Sequence, residues 1–360
     1  MYHTDLAGVV NLDFINKNER KKASKYIGNN YQIGGTRHYL LTDGNSNNCR
    51  CIDVRTGSGF EYTVVCDRGL DISLASYKGT NLVHLTENLE TNPAFYDCWE
   101  TEWLRTFSGG LLTTCGPINL GSPCEDNDEK LGQHGRWSAL PARQVCDFTD
   151  FESGKIEIAG TLYDSVTFGH KLKIYRKIKS EFGKSAVIIE DTIKNEGGRP
   201  IPLNVLYHIN FGYPFLCETT TVHIPSVECL GYDDYSQEKL YERNTINSPD
   251  GNNLEKNYLH TFSKKDDTVT AWVHNENIAD GLAVYINFNP ISLPYFTQWT
   301  LEDVKDYVLA LEPANVPCES RDVLREKNIL PYISPDDTVN FRVEIGVIEG
   351  NDNIKNKLVK

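Results

Sequence analysis

No stretch of the 360 residues approaches the run of about 18 apolar residues that marks a membrane-spanning helix, so no membrane segment is expected. The opening MYHTDLAGVVNLDF lacks the cationic start, the apolar run and the small-residue cleavage site of a secretory signal. Basic blocks are missing too. Against 50 Asp and Glu stand only 36 Lys and Arg, a net charge of −14, which repels nucleic-acid phosphates and anionic lipids, so neither is expected as a partner. The ten cysteines are scattered, with one C-x-C and no C-x-x-C. A chain this long buries a large core without staples, so they read as reduced, small apolar side chains in a cytoplasmic protein, and no structural zinc is expected. No two of the nine histidines lie two apart, which removes the H-x-H pair of a cupin-type metal isomerase. H-E-x-x-H, G-x-S-x-G, a P-loop and G-x-G-x-x-G are all absent, and with them several hydrolase and nucleotide-binding classes. What remains is acid–base chemistry by histidine and glutamate.

What is present is ordinary in composition, with 39% hydrophobic and 24% charged residues, and its hydrophobicity repeats with period two. KIEIAGTLYD (155–164), KLKIYRKIKS (171–180), AVIIEDTIKN (186–195), TVTAWVHN (268–275), GLAVYINFNP (281–290) and VNFRVEIGVIE (339–349) alternate and are rich in Val, Ile, Tyr and Phe, as strands are. Turn chemistry separates them in NEGGRP, SPDGNN and NENIADG, where Gly, Asn and Asp supply positive φ. Strands so close in sequence leave no room for crossover helices, so the sheets should be antiparallel. Helix signals are confined to INKNERKKASKY near residue 20 and SRDVLREKN (320–328). CEDNDEK (124–130) reads as a solvated loop too short to uncouple domains. The expectation is an all-β protein made of one large antiparallel β domain.

Four segments break the strand pattern. In WETEWLRTFSGGLLTTCGPINLG (99–121), Trp103, Arg105 and Phe107 alternate as if on one strand face. That is either an arginine stem resting on rings or the aromatic-plus-fork arrangement of a sugar site. His134, in LGQHGRWSALPA (131–142), is a turn residue or a substrate contact. Within RPIPLNVLYHINFGYPFL (199–216), His208 is a satisfied core histidine or a catalyst, with Tyr207 and Asn210 as polar company. Glu312, in DYVLALEPANVPCESR (306–321), emerges where a buried strand ends, and an ionised carboxylate there needs a partner.

DRGLDI (67–72), GGLLTTCG (109–116), HGRWSALPA (134–142), YHINFGYP (207–214) and LEPAN (311–315), in this order, resemble the galactose mutarotase-like (aldose 1-epimerase) superfamily, and within it a subgroup of uncharacterised epimerase-like proteins. The resemblance covers roughly residues 30–350 and implies a single large antiparallel β-sandwich domain there, with an N-terminal extension over 1–29 packed on it and a tail over 351–360, that interconverts the anomers of a sugar without a metal or other cofactor. By position it implies His208 as general acid, Glu312 as general base, and His134 and Arg105 as groups that hold the sugar. A protonated His208 would donate to the ring oxygen while Glu312, its pKa raised by burial, takes the anomeric proton. The surroundings depart from the family: Tyr207 and Asn210 flank His208, and the family's sugar-binding aspartate falls near DGNNLEKNYLH (250–260), with Glu255 or His260 as candidates. A small-molecule carbohydrate is the implied partner, and a homodimer is allowed. Two alternatives stay open on this scaffold: isomerisation of a keto sugar or sugar acid at another carbon, and sugar binding without turnover.

Overall fold

The computed structural model describes residues 14–252, 254–263 and 265–358. The opening residues of the expected N-terminal extension (1–29) and the end of the expected tail (351–360) lie outside the described residues. Each period-two segment forms a strand: Lys155–Ser165, Lys171–Glu181, Ala186–Asn195, Val269–Asn275, Leu282–Phe288 and Thr338–Glu349. Alternation does what it should. Along Lys171–Glu181, Leu172, Ile174 and Ile178 are buried while Lys171, Tyr175 and Glu181 face water. With Arg143–Asp147 and Thr220–His223 these strands make an eight-stranded sheet whose neighbours all pair antiparallel.

A second sheet carries the polar residues singled out above. Its strands are β1 (Thr113–Cys115), β2 (Leu206–Phe211), β3 (Glu228–Gly231), β4 (Lys256–Thr261), β5 (Tyr295–Glu302) and β6 (Tyr307–Ala314). They run in the order β3-β4-β5-β6-β2-β1, every pair antiparallel. A five-stranded meander over residues 35–81 forms a third sheet. The inner faces of all three meet in one core, in which Ile52 and Val64 of the meander join Ile174, Ile189 and Ile345 of the eight-stranded sheet and Ile209, Phe296 and Leu311 of the six-stranded one. Truncating any one of these Ile side chains to Ala would cost about 2–5 kcal/mol in lost transfer energy and cavity.

One ionic network ties the sheets together inside that core. The fully buried Arg176 guanidinium donates to both carboxylate oxygens of Asp191 at 2.7 and 2.8 Å and to Asp71 at 2.6 Å. Tyr207 of β2 donates to Asp191 at 2.7 Å, and Thr114 of β1 donates to Asp71 through its backbone N–H at 2.9 Å and its hydroxyl at 2.6 Å. The indole of Trp137 lies 4.9 Å from the guanidinium carbon.

The helices are short: α1 (Lys17–Ala23), α2 (Asp234–Glu238), α3 (Arg321–Glu326) and α4 (Asn351–Leu358). α1 and α3 fall inside the two expected segments. CEDNDEK departs from its expectation. It forms a hairpin, Cys124–Asp126 against Glu129–Leu131, and its Asp126 is buried, accepting bonds from Arg321 at 2.6 Å and Arg325 at 2.6 and 2.7 Å of α3. The partners lie almost 200 residues further on, out of reach of a local reading.

Candidate active site

Strand parity decides what each residue of β2 does. Tyr207, Ile209 and Phe211 point into the common core, so Leu206, His208 and Asn210 share the opposite face. On β6, Leu309 and Leu311 take the core side and Ala310, Glu312 and Ala314 the other. The register, Leu206 against Ala314 and Ile209 against Leu311, sets His208 directly opposite Glu312. Their side chains meet with His208 Nε2 3.3 Å from Glu312 Oε1. Glu312 does not sit at a strand end as expected, since the strand continues to Ala314 and only 2% of the residue is exposed.

A second apolar cluster roofs this outer face. Residues Glu102–Arg105 form a 3-10 turn, which buries Trp103 and stacks it on Phe107 with centroids 4.7 Å apart. Phe107 lies 5.4 Å from the His208 ring, and Trp299 of β5 closes the other side at 5.5 Å. His134 packs at 4.6 Å from Trp103 and edge-on to His208 at 6.2 Å. The backbone of His134 is left-handed, with φ of 54°, a conformation that usually costs a non-glycine residue about 1–3 kcal/mol and collects at functional sites. The surrounding loop holds it there: His134 N–H donates to the Gly121 carbonyl, and Gly116 N–H donates to that of His134. Gly135 is obligatory, because a Cβ would come within 2.5 Å of the Gly116 oxygen. The roof is held by Arg68 of DRGLDI, whose buried guanidinium donates to the backbone oxygens of Thr91 and Thr106 at 3.0 and 2.7 Å.

Three buried polar atoms here have no hydrogen-bond partner: His134 Nδ1, His208 Nδ1 and Asn210 Oδ1. Such atoms are rare in folded proteins, and at a site they are positions for ligand groups. Asn210 is held by its amide nitrogen, which donates to the Gly110 and His208 backbone oxygens.

Dryness controls the electrostatics. Burial, reinforced by the charge of Glu255, pushes the Glu312 carboxyl up to about 8. Burial, with His134 adding to it, pushes His208 down to about 3, and burial alone takes His134 to about 4. At neutral pH the pair therefore rests as a neutral imidazole beside a protonated carboxyl, sharing one proton. Burial raises Glu312 as the sequence reading expects, and it also holds the resting imidazole neutral, because taking charges out of water is costly.

The other sequence candidates separate cleanly. Arg105 is not on a strand. The 3-10 turn directs the two rings inward and leaves the Arg105 side chain 78% exposed, paired with Glu102 at 2.7 Å, so it does not reach the site. Tyr207 belongs to the core network on the reverse of its strand. His260 also lies on the reverse face of β4, with Ser226 Oγ at 3.1 Å, Gln298 Oε1 at 3.3 Å and Phe296 against its ring. Glu255 precedes β4, is exposed, and acts on Glu312 through its charge. Arg136 is exposed beside the Tyr96 ring, and Trp137 is packed in the core. Sequence reasoning missed Trp299, Thr113 and Thr297, the last two being the residues facing His208 and Glu312 on adjacent strands. Only register reveals them. Among the described residues no group of three or more His, Cys, Asp or Glu could hold a metal ion, and no helix is long and apolar enough to cross a membrane.

Residues 46–347 match the family described as a domain of unknown function, DUF4432. No curated protein matches the chain. Solved structures do. A Klebsiella pneumoniae protein provisionally described as an aldose 1-epimerase superposes with a TM-score of 0.82 at 18% identity, over 94% of this chain and 93% of that one. A galactose mutarotase-like protein from Clostridium acetobutylicum gives 0.62 at 12% identity, over 88% and 99%. The galactose 1-epimerase of Lactobacillus acidophilus gives 0.58 at 13%, over 88% and 100%. At these identities the likeness establishes the galactose mutarotase-like fold.

Proposed function

Since the chain belongs to DUF4432, a family whose description assigns no activity, we propose from the site itself that it interconverts the anomers of a sugar, with His208 and Glu312 as the proton-transferring pair. The observation that carries this reading is their placement. An imidazole and a carboxyl face each other at 3.3 Å in a dry site walled by Phe107, Trp299 and Trp103, where aromatic faces suit the apolar faces of a sugar ring.

The chemistry needs one base and one acid at once, and the pair supplies both with its single proton. In the turning-over tautomer Glu312 is the carboxylate and takes the proton of the anomeric hydroxyl, while the His208 imidazolium gives its proton to the ring oxygen. The bond from the anomeric carbon to the ring oxygen breaks and a carbonyl forms. Rotation of that carbonyl and the reverse transfers close the other anomer, and the pair again holds one proton. Resting and turning-over tautomers carry the same total charge, so passing between them takes no proton from solvent. His134, its Nδ1 unpartnered, grips a hydroxyl.

The test follows anomer interconversion by polarimetry or exchange NMR across a set of free sugars. His208→Ala and Glu312→Gln should each abolish acceleration while the melting transition persists. Full activity in both variants would sink the assignment. Deuterium from solvent appearing on a carbon of the product would instead place the chemistry at a C–H bond.

A further inference from the structure

The face that carries His208 and Glu312 does not end at the aromatic wall. From Glu312 on β6, the register runs through Thr297 on β5 and Leu259 on β4 to Leu230 on β3, four directly facing positions that share one side of the sheet. The row beside it runs from Ala310 through Trp299 to Asn257. It ends at Tyr232, whose N–H donates to the Asn257 oxygen and continues the ladder. At a strand spacing of about 4.8 Å, this surface extends about 14 Å from Glu312 to the sheet edge.

The two sides of β3 and β4 are treated differently. On the reverse, Lys256, Tyr258 and His260 are buried, and α2 lies so close that a Cβ on Gly231 would be 2.1 Å from the Gln237 nitrogen. On the site side nothing among the described residues closes the surface to the same degree, although it is apolar and aromatic. Leu230 is 49% exposed, Tyr232 51%, and Leu259, Asn257 and Trp299 are half-buried. Large exposed apolar side chains aligned with a buried acid–base pair mark a ligand surface. The charges along it include Glu228 and Glu255, with Asp233 beside Tyr232, and Lys327 at its border is already paired with Glu319 at 2.6 Å. An anionic ligand would meet repulsion.

Resting on the anomer-interconverting reading above, we propose that the substrate is the reducing end of a neutral saccharide of more than one unit. Its further rings lie along the Thr297–Leu259–Leu230 trough against Trp299 and Tyr232. A single ring would engage only the His208 end of this surface.

The experiment compares glucose, maltose, maltotriose, cellobiose and lactose as substrates of the full chain by exchange NMR, for the wild type, Tyr232→Ala and Leu230→Ser. Both altered residues sit on the surface, and circular dichroism melts verify that the variants fold. Expected is a kcat/KM at least tenfold higher for one of the oligosaccharide series than for glucose, with each variant bringing that ratio down several-fold. Equal values for glucose and every oligosaccharide, with ratios unmoved by the variants, would overturn the trough while leaving the anomerase reading standing. No acceleration of any sugar, with maltotriose and cellobiose also failing to bind in calorimetry, would overturn both.

Discussion

The single proton shared by His208 and Glu312 has measurable signatures at the scale of the residue. Because Glu312 gives up its proton only near pH 8 and His208 gains a second only near pH 3, kcat/KM for the free enzyme should form a broad plateau through neutrality. It should fall above about pH 8, where the pair loses its proton. A maximum confined near pH 6.5 would contradict the shared-proton state. Stability follows the same groups. The folded pKa of Glu312 lies above its unfolded value, so its contribution is whole below about pH 4.5 and is lost as pH rises through about 8. His134 and His208 are depressed, so theirs is present above about pH 6.5 and is lost as pH falls towards 4 and 3. In thermal melts Glu312→Gln should therefore gain on the wild type as pH is raised from 5 to 9. A difference independent of pH would deny the buried, protonated carboxyl.

Parity and register act at the scale of the strand and the turn, and they explain what the sequence could and could not disclose. Period-two alternation made the long strands legible, and it also held information that went unused. Tyr207 and His208 are adjacent on one strand, so they cannot share a face, and only one could belong to the site. Which face was buried depended on pairing with β6, about a hundred residues away. Arg105 escapes a local reading for a different reason: alternation of Trp103, Arg105 and Phe107 also fits a 3-10 turn and its cap, and only packing against the roof tells the two apart. Two substitutions separate these roles. Tyr207→Phe removes a buried donor to Asp191 and should destabilise by about 1–3 kcal/mol, read as a lower midpoint in urea. Arg105→Ala removes an exposed i,i+3 ion pair and should change stability by less than about 0.5 kcal/mol and kcat/KM by less than twofold. A large loss of activity in Arg105→Ala would return that residue to the site.

At the scale of the whole molecule, closely spaced strands without crossover helices were enough to indicate an antiparallel all-β architecture. The division into three sheets was not legible, because the contacts that define it, such as Asp71 with Arg176 and Asp126 with Arg321, join residues 105 and 195 positions apart. Arg176 is the strongest case. Its charge is buried among Asp71, Asp191, Trp137 and Tyr207, and removing one partner of such a network leaves uncompensated charge in the core. Arg176→Ala should cost about 3–5 kcal/mol. Because β1 and β2 both bond to this network, activity should be lost together with structure in a single denaturation transition. Separate transitions by activity and by circular dichroism would show the site and core to be uncoupled.

The clamp that Arg68 places on the Thr91 and Thr106 carbonyls bears on traffic through the site. Lifting Trp103 and Phe107 away would strand a buried guanidinium, a cost that opposes any lid motion of the roof. On the proposed function, a sugar would then arrive and depart sideways, past Trp299 along the face that carries Leu230 and Tyr232. With the ceiling held and that side shared by entry and exit, clearance of one molecule would set the pace for the next, and bulky additions at the Tyr232 end should act as corks.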